Sequence, residues 1–400
     1  MARPRILRIF SRYQQSGGEE AVAKRIHQEL AQVMEADWFE SSTGALLGNS
    51  LTSRLAAPWK AVHNKTVSET LRKLQERNRY SAWEIHNVFP ALSPSVYQTA
   101  FDLRIPVVHF LHNYRLSCVN GSFLNHGEPC LRCINGNFLP AVQTVCWRES
   151  RIACGFMSMA LTRVRSLKVF ERVSSWIALS QAHRALHLKM GIPDRTLHVV
   201  PHFQEFRPSE VSTLPQNGYA LFLGRLSPEK GVANLLSAWK QVKTPGARLV
   251  IAGTGPEESR LRRIIAEDKL DSVELRGYID PAQHQELWAN AKFLVVPSIW
   301  HEPFGLVVLE ALAHGRPLVV SSLGSLSEIA GDSALVVDPA KPEEIARACD
   351  RLFLETKLAQ EMGTCGTKRL QRVYNRDIWL EKIRDVYGSC GIRLSAGSNN

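Results

Sequence analysis

Three sets of residues in this 400-residue chain have the types and spacing to do chemistry. The first is a pair of acids, Glu302 and Glu310, in the nearly apolar run HEPFGLVVLE. A carboxylate accepts two or more hydrogen bonds, so such a pair suits the recognition of hydroxyl groups. The second is Arg225 and Lys230 in FLGRLSPEKG, bracketed by Gly224 and Gly231. Two cations on a glycine-flanked loop suit a diphosphate. The third is four cysteines, Cys118, Cys130, Cys133 and Cys146, spaced C-x11-C-x2-C-x12-C. That spacing suits a four-thiolate structural zinc site, with free thiols and disulfides as the other readings. Each set also has a plain reading: a first-turn helix acid with a surface acid, a solvated basic turn, and ordinary thiols.

Elements must hold these residues in place. Short β-rich runs alternate with helical patterns through both halves of the chain, which is the rhythm of parallel sheets covered by helices. In the first half ILRIF, SAWEIHNV, IPVVHFLH and SSWIALS read as strands, with helices over 19–30, 93–103 and 156–172. The stretch 199–218, with three prolines, breaks the rhythm and reads as a linker. The rhythm restarts with strands YALFLG, ARLVIAG, SVELRG and KFLVVPS. The expected class is therefore α/β, two doubly wound sheets facing a cleft, with ligands at the carboxyl ends of the strands. The expected domains are 1–205, carrying a four-cysteine insert at about 113–150, and 206–375. A last segment, 376–400, would be a helix packing back on the first domain, then a polar tail. GLVVLEALAHG reads as a helix from Gly305 to a C-cap at Gly315. Its free N–H groups make a phosphate site, with one acid before it and one more than a turn inside.

Hydrophobic content of 44% and charged content of 22% are those of a globular protein without membrane spans. The start lacks the long apolar stretch of a signal peptide, so a cytoplasmic location is expected. The net charge of +11 is uneven: residues 1–205 hold 25 Lys/Arg against 15 Asp/Glu, and the remainder is nearly balanced. This basic field suits an acidic substrate, anionic lipid or nucleic acid, or is a solvated surface. The segment 155–173 mixes apolar residues with Arg163, Arg165, Lys168 and Arg172. It suits peripheral contact with an anionic membrane at its inner face, or it packs its apolar stripe on the sheet.

GRLSPEKG, IAGTGPE, LRGYI and PSIWHEPFGLVVLEALAHGRPLV, in this order, resemble the donor-binding domain of the family 4 retaining glycosyltransferases, of the group 1 type. The resemblance is dense over about 219–340 and continues more thinly through GGEE, LHNYRLSC and IALSQAH. It implies the GT-B architecture and a UDP- or GDP-sugar donor. Arg225 and Lys230 would neutralise the diphosphate beside Gly224 and Gly253. Glu302 would contact the transferred sugar, and Glu310 the ribose. Phe304, Gly305, Leu306 and Val307 would line sugar and phosphates, while Gly277, Tyr278 and Ile279 edge the base. From the first domain Gly17, Gly18 and Asn113 would line the cleft, and His112 would face the sugar's reacting side. The implied reaction keeps the anomeric configuration and uses no catalytic metal, and no Asp-x-Asp triplet occurs in the chain. The implied acceptor is a glycan or a lipid-linked precursor of a surface polysaccharide. A sugar-nucleotide epimerase of the same architecture is the nearer alternative. A basic, zinc-containing nucleic-acid binder is the alternative of another class, and it leaves the second half unexplained.

Overall fold

The computed structural model describes residues 3–12, 18–42, 44, 51–211 and 213–395. Gly17 and the tail residues 396–400 lie outside them. The first sheet holds β1 (Arg5–Arg12), β2 (Glu35–Ser42), β3 (Ala82–Asn87), β4 (Val107–Phe110), β7 (Ser175–Ala178) and β8 (Leu197–Val199). Their order is β2-β1-β3-β4-β7-β8, and every pairing is parallel. The second holds β9 (Tyr219–Leu223), β10 (Leu249–Ala252), β11 (Val273–Gly277), β12 (Ala291–Val296), β13 (Leu318–Ser321) and β14 (Ala334–Val337). Its order is β11-β10-β9-β12-β13-β14, again all parallel. Both are doubly wound α/β sheets, the class read from the alternating pattern. Between β4 and β7 the cysteine-bearing segment contributes a small hairpin, β5 (Leu124–Asn125) with β6 (Glu128–Pro129), and a short helix, Leu139–Gln143.

Strands buried on both faces explain the apolar runs: β4, β10, β12 and β13 have no exposed residue. The helix expected over 156–172 is two, Arg151–Ser166 and Val169–Arg172, because Lys168 adopts φ 51 and breaks the ladder. Its stripe Cys154, Met157, Ala160, Leu161 and Val164 is buried, at the spacing of one helix face.

Helix Arg376–Ser389 returns to the first sheet. Trp379, Ile383, Val386 and Tyr387 join a cluster with Ile6, Val22, Ala82 and Ile177. Arg376 Nε donates to Glu29 Oε2 at 2.5 Å, and Trp379 lies 4.9 Å from the Phe203 ring.

Candidate functional site

In an open parallel sheet a ligand crevice forms where the strand order reverses, beyond the carboxyl ends of the flanking strands. In the second sheet those strands are β9 and β12. β9 hands the chain to Gly224 and Arg225, and β12 to Ser298 and the loop that carries Glu302. The two predicted groups meet there. Lys230 Nζ donates to Glu302 Oε2 at 2.8 Å. The same oxygen accepts from Trp300 Nε1 at 2.9 Å and Ser298 Oγ at 3.2 Å. Glu302 is 7% exposed, and its main chain bridges to Gly324, with Ser325 N donating to Glu302 O at 3.0 Å. Arg225 leans to the outer side, Nη2 on Glu229 Oε1 at 2.7 Å.

Glycine turns let these loops close together. A Cβ on Gly253, at the end of β10, would run into the Gly224 carbonyl. Gly305 has φ 92, and a Cβ there would lie 2.5 Å from Leu326 Cδ2. From Gly305 the helix Leu306–Ala313 starts, its first-turn N–H groups open as in any helix. Glu310 lies one turn further and meets His284 Nε2 at 3.2 Å. That hydrogen bond raises the His284 pKa, against the effect of its burial. Gly277 (φ 75) ends β11 and leads to Tyr278, which is 73% exposed, and Ile279, which packs on the core. The Phe304 side chain is buried against His202 at 4.9 Å between rings, so a ligand meets its backbone rather than its ring.

The first domain brings up the facing wall. β4 ends at Phe110, and His112 and Asn113 follow. The His112 ring stacks 6.3 Å from His202, which touches Phe304 of the other domain. Trp300 packs edge-on at 6.4 Å to Tyr114. Burial and neighbouring imidazoles hold His112 well below the usual imidazole range, so it is neutral at pH 7. Gly18 opens the helix Gly18–Leu30. The geometry thus brings His112 and Asn113 to the same cleft as the 225–230 and 298–310 segments.

Sequence reading did not single out several groups at this site. Glu19 Oε2 accepts from Asn113 Nδ2 at 3.0 Å, while its buried Oε1 has no partner among the described residues. Burial lifts the Glu19 carboxyl to about 7, against the lowering effects of Asn113 and Arg115. Glu84 and His86 lie buried behind His112.

The four clustered cysteines line one cavity of about 20 Å³. All are free thiols. Burial, with the neighbouring Cys118 sulfur, pushes Cys133 to about 11 and Cys146 to about 12. A water needs roughly 10–15 Å³, so the cavity has room for one small ion, and four cysteine sulfurs among its lining are the donor chemistry of structural zinc. Among the described residues, no three His, Cys, Asp or Glu side chains are drawn up tightly enough to hold a metal, so the sulfurs surround the cavity without closing on its centre.

Residues 205–369 match the family model described as glycosyl transferases group 1. An uncharacterised glycosyltransferase of Methanocaldococcus jannaschii is 32% identical over 171 residues, 42% of this chain and 44% of the relative. The O-antigen chain mannosyltransferase B of Escherichia coli is 31% identical over 163 residues, 39% of this chain and 40% of the relative. The matched part is thus under half the length of either relative. The Anabaena protein HepE, solved with UDP, superposes with a TM-score of 0.66 at 18% identity, over 96% of this chain and 100% of that one. The fold is GT-B, two Rossmann-like domains across a cleft.

Proposed function

We propose that the protein is a retaining glycosyltransferase that moves a sugar from a UDP- or GDP-sugar to a glycan or lipid-linked acceptor in surface polysaccharide synthesis. One observation carries the reading. At the point where the second sheet reverses, a lysine and a carboxylate touch at 2.8 Å beside a helix start at Gly305. A cation and open N–H groups suit a diphosphate, and a carboxylate next to them suits the hydroxyls of the sugar it carries. The group 1 match over the same residues and the O-antigen mannosyltransferase likeness support the sugar chemistry and its setting. The UDP complex of HepE supports the donor class.

In this reading Lys230 and Arg225, with the helix start, stabilise charge as the glycosidic bond breaks. The departing diphosphate takes the proton of the acceptor hydroxyl on the same face of the sugar, so configuration is kept. That route needs neither a protein nucleophile about 5 Å from an acid/base nor a metal. Glu310 holds the ribose, Glu302 and His112 the sugar, and Asn113 lines the acceptor side.

The reading extends to two further partners. Cys118, Cys130, Cys133 and Cys146 would hold one structural zinc that ties the insert. Trp59, Leu139, Ile152 and Met159 are exposed apolar residues around the helices Leu51–Val62 and Arg151–Ser166. A groove of about 630 Å³ between the helix Arg151–Ser166 and residues 136–142, lined by Leu139, Met159 and Arg163, suits the chain region of anionic lipid. Sedimentation of the protein with anionic but not zwitterionic vesicles is the expected result, and sedimentation with neither would remove the membrane.

A thermal-shift screen against UDP, GDP and ADP tests the donor; a ligand at about 100 times its Kd stabilises by roughly 2.7 kcal/mol. Product analysis with the matching nucleotide sugar follows, with and without glycan acceptor. A new linkage only with acceptor supports transfer. An altered sugar nucleotide without acceptor would make it an epimerase.

A further inference from the structure

Behind His112 runs a chain of buried polar groups that the transfer reaction, as derived above, does not use. Arg8 on β1 and Glu84 on β3 are register partners and both fully buried. Arg8 Nε donates to Glu84 Oε1 at 2.6 Å. The other arms of the guanidinium reach His27 Nδ1 at 2.6 Å and Met34 Sδ at 3.4 Å. Glu84 Oε1 also meets His86 Nε2 at 2.9 Å. Glu84 Oε2 accepts from the Tyr387 hydroxyl, on the helix that returns from the second domain. His86 Nδ1 then meets His112 Nε2 at 2.9 Å, the two rings nearly parallel with centres 5.2 Å apart, edge to edge. The Phe110 ring lies 4.8 Å from that of His86 and nearly parallel to it. His86 is 2% exposed, whereas His112 is only partly covered, so the chain runs from the protein interior outward to the cleft.

We propose that Glu84 and His86 are positioning residues for His112: the buried chain fixes which nitrogen of the His112 ring carries the proton. The inference rests on the reading of His112 as the group that faces the donor sugar. An ionised carboxylate is only an acceptor, so Glu84 requires a proton on His86 Nε2. Burial raises the Glu84 carboxyl, but Arg8, His86 and Tyr387 together bring it well below the usual carboxylate range, so it stays ionised. A neutral His86 then offers Nδ1 as a lone pair, and His112 must donate to it through Nε2–H. His112 Nδ1 is left bare. The ring therefore meets its ligand as a hydrogen-bond acceptor and selects a hydroxyl that donates. A partner's hydrogen bond setting the tautomer of a functional histidine is a general device.

The test is nitrogen NMR on the full chain labelled with 15N-histidine, at about pH 8, where ordinary imidazoles are neutral. The His112 signals are identified by their loss in His112→Asn. The expected spectrum has His112 protonated on Nε2 alone. In the Arg8→Met/Glu84→Gln double variant, which removes both buried charges together, the amide can donate as well as accept. His112 should then populate the Nδ1–H form. If that variant does not fold, His86→Gln keeps the Arg8–Glu84 pair and carries the same readout. Nδ1–H in the parent, or an unchanged His112 in the variant that folds, overturns the proposal. UDP and GDP titrations separate this from the donor reading, because the free diphosphate carries no sugar for His112 to meet. A fixed tautomer with no nucleotide binding would sink the transferase reading and spare the chain. Bound nucleotide with an unfixed tautomer would do the reverse. Once the donor is known, kcat should fall about ten-fold or more in the variant, with nucleotide affinity unchanged.

Discussion

Glu302 and Glu310 lie on opposite sides of the helix start at Gly305, and their neighbours differ. Glu302 is tied to Lys230, Trp300 and Ser298, whereas Glu310 meets His284 alone in a side-chain bond among the described residues. If Glu310 holds the ribose, Glu310→Gln removes charge from hydrogen bonds of about 1.5–3 kcal/mol. Affinity for the free nucleoside diphosphate should drop about 10-fold. Glu302→Gln should leave that affinity near the parent's, because the free diphosphate carries no sugar, and should show its loss in turnover of the full donor. Calorimetry beside steady-state kinetics decides; equal losses of diphosphate affinity would mean the sugar and ribose ends are misassigned. Glu19 carries a pH prediction. Its carboxyl is raised to about 7 by burial. Unfolded, it titrates near 4.3. The folded state then holds the proton more tightly, so this group's contribution falls as pH rises from about 4.3 through about 7. Glu19→Gln should be more stable than the parent by about 1–2 kcal/mol at about pH 8, a figure discounted for partial exposure, and no more stable near pH 4. Urea denaturation at the two pH values reads it, and a Gln variant that gains nothing at the higher one refutes it.

At the scale of elements, the insert between β4 and β7 depends on something other than regular structure. It spans about thirty residues and has one hairpin of two-residue strands and one five-residue helix, Leu139–Gln143, too little ladder to hold itself. Four sulfurs around one cavity supply the missing tie if they close on zinc. Elemental analysis of the chain purified without added metal should find about one zinc. Cys133→Ser should lose it and lower the melting temperature while leaving UDP affinity intact; metal-free protein with four freely titrating thiols would remove the site. The C-x2-C spacing made this cluster legible, since it needs no knowledge of the fold. The strands that carry Glu302 and Arg225 were legible for a similar reason: β9 and β12 are buried on both faces and read as continuous apolar runs. β2 was not. Its residues, EADWFESS, include three acids, and it lies at the sheet edge with no buried residue, so only its pairing with β1 makes it a strand. The buried chain behind His112 was hidden for the opposite reason. A charge inside ILRIF or SAWEIHNV reads as a solvent-facing position of an alternating strand. Register alone sets Arg8 against Glu84 and lets both be buried. Side-chain partners across strands are set by topology, which spacing along the chain does not encode.

At the scale of the whole molecule, the two domains are fastened beside the cleft as well as by the returning helix. The helix Gln181–Lys189 of the first domain points its N-terminus at Glu328 of the second. The two carboxylate oxygens accept from Gln181 N at 2.8 Å and Ala182 N at 2.9 Å. Beside them Ser180 Oγ and Ser325 Oγ are 2.5 Å apart, and Ser325 Oγ also donates to Pro303 O at 2.9 Å. A carboxylate on a helix N-terminus contributes about 0.3–1 kcal/mol when exposed and up to about 2 when partly covered. That is enough to bias an open-to-closed equilibrium several-fold without locking it. The clasp lies at the base of the loop that carries Glu302, whose carbonyl accepts from Ser325 N. Glu328→Ala should therefore raise the population of open molecules. Small-angle scattering should show a larger radius of gyration for the variant without ligand. A saturating nucleotide that bridges the two domains should restore the parent value, and its apparent affinity should be weaker by the fraction of molecules it must close. A variant as compact as the parent, with unchanged nucleotide affinity, would show that the returning helix and the ring contacts of Trp300 and Phe304 hold the cleft shut without the Glu328 clasp.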